Sequence, residues 1–347
     1  MNILFLYTEL ASYFLAGVKE LTNKGHSVHI VRWPVNKEAP FQFDFPEGVT
    51  LYERNDYNNT QLTNLAKSIQ PDIIISSGWV DKGYLSVCRF FRGSIPTVMS
   101  MDNHWMGTPK QYLMRMAAPW VLHRAYSHAW VPGLPQKEYA QKLGFKKERI
   151  TEGFYSADVK LFSPTASDRI KAEPYPRKLI YVGRYVHQKG LDLLFPAFME
   201  LQEESPNEWE LWCAGTGELF DQRPEHPKIK HLGFLQPQEL KETLKATGVF
   251  VLPSRFEPWG VVVHEMAAAG FPMICSSAIG SITRFLEEGK NGFLFENENK
   301  ESLKKALRQI MSLSDEELKT MAGHSHQMGI GYDPKKWASK VIRRVGE

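Results

Sequence analysis

Two carboxylates stand eight residues apart in the stretch Pro253-Ser-Arg-Phe-Glu-Pro-Trp-Gly-Val-Val-Val-His-Glu-Met-Ala-Ala-Ala-Gly-Phe-Pro272: Glu257 and Glu265. If both lie on one helix, they are about 12 Å apart along its axis. That is too far for two groups sharing one proton or one metal ion. It suits groups that hold different parts of one elongated ligand. Between them, the free N–H groups at a helix N-terminus favour an anion. Hydroxyls at both ends and phosphate in the middle describe a nucleotide-sugar.

Three upstream loops add chemistry of the same kind. Gly183-Arg184-Tyr-Val-His-Gln-Lys189-Gly190 follows an apolar run and places an arginine fork and a lysine point charge among glycines. Such a loop suits pyrophosphate; the plain alternative is a solvated loop with two surface charges. Ala214-Gly215-Thr216-Gly217 has two glycines but not the full dinucleotide fingerprint. Gly233-Phe234-Leu235 ends a further strand, where backbone groups either read a nucleobase edge or form a turn packed by Phe234.

The elements that position these loops read as alternating strands and helices. In the first half, strands are predicted at 2–7, 27–32, 49–53, 72–76, 97–101 and 129–131. Helices are predicted at 12–23, 60–69, 82–91 and 110–125, and a polar, proline-bearing connection follows Arg32. Near Phe162-Ser-Pro-Thr-Ala-Ser-Asp168 the pattern breaks, and with Pro174 and Pro176 it reads as a linker. The alternation then restarts with strands at 178–183, 210–214, 229–232, 249–252, 273–276 and 292–295. Helices are predicted at 191–203, 237–246, 282–287, 300–313 and 315–327. Pro258 suits the first turn of the helix carrying Glu265, and Gly270 with Pro272 stops it. A last amphipathic helix begins at Asp333-Pro-Lys-Lys-Trp337 and runs to about Val345. The expectation is an α/β protein of two doubly wound parallel-sheet domains, 1–163 and 164–332, with 333–347 crossing back onto the first. Ligands in such sheets bind outside the carboxyl ends of the strands, so two facing sheets would form a central cleft.

Composition narrows the class. The 347 residues are 43% hydrophobic and 23% charged, as in globular proteins, with net charge +3. That charge does not argue for nucleic acid. Cys88, Cys213 and Cys275 are an odd number without metal-ligand spacing, so the expectation is buried free thiols in a reducing cytosol. The amino-terminal apolar run lacks a basic flank and a cleavage site, which suits a first strand rather than a signal peptide. No apolar run reaches the length of a spanning helix. His324 and His326 lack further ligands for a metal reading, and His264 faces either a ligand or the core.

Taken together, Ser254-x-x-Glu257-Pro-Trp-Gly260-x-x-x-x-Glu265-Met-Ala-x-x-Gly270-x-Pro272, with Gly183-Arg184 and Lys189-Gly190 upstream, resembles the signature of retaining glycosyltransferases of the GT-B fold, family four. The resemblance covers the C-terminal half closely and the N-terminal half loosely. It implies two Rossmann-like domains and transfer of a hexosyl group from a nucleoside-diphosphate donor to a saccharide or polyprenyl-linked acceptor. Bacterial cell-surface polysaccharide assembly is the implied setting, in the cytoplasm or on the inner face of its membrane. It implies that Gly183, Arg184 and Lys189 meet the diphosphate, with Thr216 nearby, that Phe234 and Leu235 flank the base, and that Glu265 binds the ribose. Glu257 would contact hydroxyls of the transferred sugar, backbone N–H groups from Gly260 through Val261 to Val262 would touch the distal phosphate or the sugar, and Trp259 is counted among the donor-binding residues. No Asp-x-Asp motif is present, so no metal and no cofactor are expected, and the cationic side chains with the helix N-terminus would stabilise the leaving group.

Three departures from the family pattern stand out. The first turn carries Glu9 on the acceptor side in place of a glycine-rich turn. The strand before the long N-domain helix ends in Asp102, with His104 two residues on; one of them would face the reacting sugar, or Asp102 caps a turn. Ser281 and Arg284 occupy a loop that usually carries a second glycine and an acid. Alternatives on the same fold are a sugar-nucleotide epimerase or phosphorylase, or a non-catalytic nucleotide-sugar-binding protein. Finally, Tyr112 to Arg124 combines apolar bulk with Arg115, His123 and Arg124, after Arg89 and Arg92. It reads either as a core helix packed on the sheet or as an interfacial helix making a peripheral contact with an anionic bilayer.

Overall fold

Runs of β-branched and aromatic residues bounded by turns become strands, and amphipathic segments between them form helices. The strands are fully buried at Thr97–Ser100, His128–Val131, Val249–Leu252 and Met273–Ser276, and partly exposed at the outer Val49–Glu53 and Ile229–Gly233. The computed structural model describes residues 1–34 and 44–343. Residues 35–43, in the predicted connection after Arg32, and the end of the predicted terminal helix, 344–345, lie outside the described residues. The chain divides into two compact units, residues 1–158 with 333–347, and residues 159–332.

The first unit runs β1 (Asn2–Tyr7), α1 (Ser12–Thr22), β2 (Ser27–Arg32), β3 (Val49–Glu53), α2 (Asn59–Ile69), β4 (Ile73–Ser77), α3 (Lys82–Phe91), β5 (Thr97–Ser100), α4 (Pro109–Val121), β6 (His128–Val131), α5 (Leu134–Lys142) and β7 (Ile150–Glu152). Its seven strands are parallel in the order β3-β2-β1-β4-β5-β6-β7. Ile73, Ile74 and Ile75 of β4 are wholly buried, as a strand covered on both faces requires. The order reverses between β1 and β4, so the crevice of this sheet opens where Thr8 and Glu9 leave β1. There the Thr8 amide donates to Ser77 Oγ at 3.4 Å. Asp81 caps α3 and pairs with Arg54 at 2.8 Å, also accepting from the Trp33 indole at 3.0 Å. Sequence reading missed α5 and β7, both short and weakly patterned.

The second unit runs α6 (Val159–Phe162), α7 (Pro164–Ile170), β8 (Lys178–Val182), α8 (Leu191–Glu204), β9 (Glu210–Ala214), β10 (Ile229–Gly233), α9 (Pro237–Lys245), β11 (Val249–Leu252), α10 (Val261–Ala268), β12 (Met273–Ser276), α11 (Ile282–Phe285), β13 (Gly292–Phe295), α12 (Lys300–Met311) and α13 (Asp315–Ile330). Its six parallel strands follow the order β10-β9-β8-β11-β12-β13, reversing between β8 and β11. The segment read as a linker is helical and anchored. Arg169 at the end of α7 is buried and donates to the carbonyls of Leu244, Thr247 and Ala269, its guanidinium lying 3.4 Å over the Phe271 ring. Burial lowers its pKa to about 10. Prolines 164, 174 and 176 made this stretch look like a breaker, but Pro164 opens a helix, where its missing N–H costs nothing.

The chain then returns to the first unit as α14 (Pro334–Arg343). Trp337 is buried there, its indole donating to the Phe154 carbonyl at 2.7 Å and its rings packed among Phe5, Phe14 and Trp130. Cys88, Cys213 and Cys275 are all buried and free. Among the described residues, no helix is long and apolar enough to cross a membrane.

Candidate functional site

The reversal of strand order in the second unit brings together the loops after β8 and β11. Backbone groups tie them: the Arg255 amide donates to Gln188 O at 2.8 Å, and Gln188 Nε2 to Phe256 O at 2.6 Å. Arg255 then clamps the junction, donating through both guanidinium arms to the Asp192 carboxylate at 2.7 Å and reaching His187 O at 2.7 Å and Glu298 at 3.0 Å. Gly190 allows the approach, because a Cβ there would lie 2.2 Å from Pro253 O.

Within this frame Lys189 and Glu257 form an ion pair. Their side chains are only 14% and 15% exposed, so the pair is screened little by solvent. The sequence assigns Lys189 to the diphosphate and Glu257 to the transferred sugar; the fold makes them direct partners. Glu257 is also not on the helix. Its backbone pairs with the loop after β12, the Glu257 amide donating to Ala278 O at 3.2 Å and its carbonyl accepting from Gly280 at 3.0 Å. The α10 helix begins only at Val261, after Gly260 in the left-handed region at φ 83°. Pro258 therefore sits in the loop, not in the first helical turn, and the axial spacing expected between the two carboxylates does not apply. Glu265 is one turn into α10 and half-buried.

Ser281 explains the departure from the usual loop. It is buried, its amide donates to Trp259 O at 2.9 Å, and its hydroxyl to Gly260 O at 2.9 Å. It braces the glycine that starts α10. Trp259, expected among the donor-binding residues, has its ring buried near Phe285 and supports the loop from behind. The amides of Val261 and Val262 open α10, in the first turn that lacks intrahelical acceptors. The geometry thus combines a lysine, a carboxylate and a helix N-terminus at one sheet edge, with a second carboxylate a turn along.

Neighbouring loops complete that edge. Tyr181 donates to Arg184 O at 2.7 Å, and the Tyr185 amide donates to Thr216 O at 2.9 Å, joining the loops after β8 and β9. The Arg184 side chain is exposed. Gly215 donates to Gly233 O at 2.7 Å, which ties in the β10 end where half-buried Phe234 and Leu235 follow. His264 faces the core: it stacks on Phe285 at 4.1 Å and its Nε2 lies 2.9 Å from Gly329 O. His324 and His326 contact the backbone carbonyls of Lys290 and Ala268. Among the described residues, no three His, Cys, Asp or Glu side chains cluster as a metal ion requires.

In the first unit, Glu9 follows β1 and is exposed, while Asp102 and His104 follow β5 and are half-buried. Asp102 Oδ2 accepts from the Tyr155 hydroxyl at 3.0 Å, and Tyr155 meets the Tyr13 ring edge at 5.4 Å. Burial, and then the negative charge of Asp102, hold the Tyr155 hydroxyl protonated well above its usual range. Burial lowers the His104 pKa. Tyr155, Arg255 and Gln188 were missed from sequence, since their partners lie 43 to 68 positions away.

A pair of doubly wound parallel sheets bearing this edge is the GT-B architecture. Solved structures confirm the fold over the whole chain. HepE from Anabaena, in complex with UDP and glucose, superposes with a TM-score of 0.72 at 15% identity, covering 100% of this chain and 99% of that one. Sucrose-phosphate synthase from Thermosynechococcus elongatus gives 0.74 at 15% identity, covering 99% and 98%. Residues 164–325, within the second unit, match the family described as Glycosyl transferases group 1. Among curated relatives, glycogen synthase of Mycobacterium tuberculosis is 25% identical over 71% of this chain and 61% of its own length. Sulfoquinovosyl transferase SQD2 of Arabidopsis thaliana is 28% identical over 73% of this chain and 52% of its own length. An uncharacterized glycosyltransferase of Methanocaldococcus jannaschii is 30% identical over 39% of this chain and 36% of its own length. The matches therefore span between about a third and three fifths of these relatives.

Proposed function

We propose that this chain transfers a hexosyl group from a nucleoside-diphosphate donor to a saccharide or lipid-linked acceptor. The observation that carries the reading is the Lys189–Glu257 pair beside the N-terminus of α10, with Glu265 one turn further on. The donor diphosphate competes with Glu257 for Lys189, and Arg184 adds a second cation. The released Glu257 carboxylate then accepts from hydroxyls of the sugar, while Glu265 accepts from the ribose. The bond that breaks joins the anomeric carbon to the diphosphate oxygen. Charge developing on that oxygen meets two cations and the α10 amides, fixed before reaction. This set needs no metal ion.

Uridine is the proposed base, because HepE was solved with UDP and with UDP-glucose. Retention of anomeric configuration rests on the family resemblance. A role in cell-surface polysaccharide assembly draws support from the lipopolysaccharide outer core galactosyltransferase WaaB, a structural neighbour at TM-score 0.70. Asp102, held by Tyr155, is proposed as the first unit's contribution to the reacting sugar, with His104 and Glu9 on the acceptor side.

The test is a thermal-shift comparison of UDP, ADP and GDP, followed by release of nucleoside diphosphate from the matching sugar donor without acceptor. At a hundredfold excess over Kd one nucleotide should stabilise by about 2.7 kcal/mol, and slow hydrolysis should follow. No shift with any nucleotide refutes the donor site; a shift without turnover leaves a binding protein.

A further inference from the structure

The outward face of α4 is apolar where a helix facing water carries charge. Ala118 and Leu122 are buried in the first unit's core, and Met114 and Val121 pack half-buried against it. At about 100° per residue, these four define one side of the helix. Tyr112, Met116, Trp120 and Leu113 follow one another across about 100° of the opposite side. They are 52%, 71%, 62% and 68% exposed. Met106, two residues before the N-cap Thr108, is exposed as well.

Charge says what covers this face. Lys110 and Arg115, both exposed, flank the apolar arc about 60° beyond either edge. Long basic side chains beside a bilayer extend from its apolar zone to the phosphates in this way. The helix has no acidic residue. On α4 itself, Lys110 and Arg115 make the charge +2. A second copy docking through the same face would set these like charges against each other. An anionic lipid surface complements them, and tryptophan and tyrosine on the apolar side suit the headgroup boundary.

We infer that α4 is a membrane-docking helix that lies in the interface of an anionic bilayer. The inference stands on the first unit and does not depend on the donor reading. Flotation of the intact chain tests it, with phosphatidylcholine vesicles and with vesicles that also contain phosphatidylglycerol. Binding is expected only with the anionic vesicles. K110Q/R115Q should weaken it about thirtyfold, at roughly fivefold per charge. M116S/W120S should weaken it at least tenfold. Because all four side chains are exposed, unfolding temperature and nucleotide binding should stay at wild-type values. Failure of the intact chain to float, binding unchanged in both variants, or binding equal on neutral vesicles overturns the inference. So does a dimer in solution that M116S/W120S converts to monomer with no vesicle binding in either form.

Discussion

Replacing Gly260 with alanine should separate the cost of backbone geometry from the cost of moving Glu257. At φ 83° an alanine pays about 1–2 kcal/mol for the left-handed conformation. In a domain of this size that lowers Tm by about 2–8 °C. The added Cβ also lies 2.8 Å from Glu257 Cγ and 3.3 Å from Ile279 Cγ2. Glu257 cannot shift as a whole, because its amide and carbonyl are both fixed to the loop after β12. Its side chain must swing, and the pair with Lys189 opens. Gly289 is the internal control, at φ 75° with nothing within 4 Å of an added Cβ. Gly289→Ala should lower Tm to a similar degree and leave donor hydrolysis unchanged. Gly260→Ala should lower hydrolysis about a hundredfold, the scale expected for a misplaced reacting group. Equal activity in the two variants at equal loss of Tm would refute the role given to the Glu257 position.

Glu257→Gln and Lys189→Met should each abolish measurable transfer, and the double variant should be more stable than the sum of the two losses predicts; strict additivity in denaturant melts would argue against a coupled pair. Arg169→Met should destabilise the second unit by about 3 kcal/mol or more, since buried carbonyls of Leu244, Thr247 and Ala269 lose a donor; a loss under about 1 kcal/mol would show that these carbonyls are satisfied otherwise. Burial pushes the Asp81 carboxyl up, but hydrogen bonds from Arg54, Trp33 and the Tyr84 amide outweigh it and hold it below the usual range. Its stabilising contribution is therefore present above the ordinary carboxylate range and is lost as pH falls through the depressed folded value. Asp81→Asn should cost about 3 kcal/mol at neutral pH and flatten the acid limb of the stability profile, which urea melts across pH would show.

Local pattern made the strands and most helices legible. Val249–Leu252 and Ile73–Ser77 are short apolar runs, and nothing competes with their reading. The errors came where a local signal had more than one use. Pro258 satisfies a helix start, yet the bridge from Glu257 to the β12 loop pulls it out of α10, and Gly260 sets the start instead. Pro164 looked like a linker residue and opens α7, which Arg169 anchors over a hundred-residue separation from Ala269. The same limit hid Tyr155 behind Asp102. In α4, apolar content was readable but direction was not, because burial depends on which side chains the sheet covers. The edge chemistry of the second unit was legible as residue types; that Lys189 and Glu257 pair with each other was not.

The return of α14 to the first unit has a consequence for how the protein is made. Strands β1 to β7 emerge from the ribosome well before Trp337, whose ring lies so close over Gly17 that an added Cβ would be 2.5 Å away. Until Trp337 is synthesised, Phe5, Phe14 and Trp130 lack their cover. The second unit, a continuous segment, can complete its own contacts first. The unit begun earlier is then finished later, and it holds exposed aromatic surface during the interval. That order makes the nascent first unit the part most in need of chaperone protection.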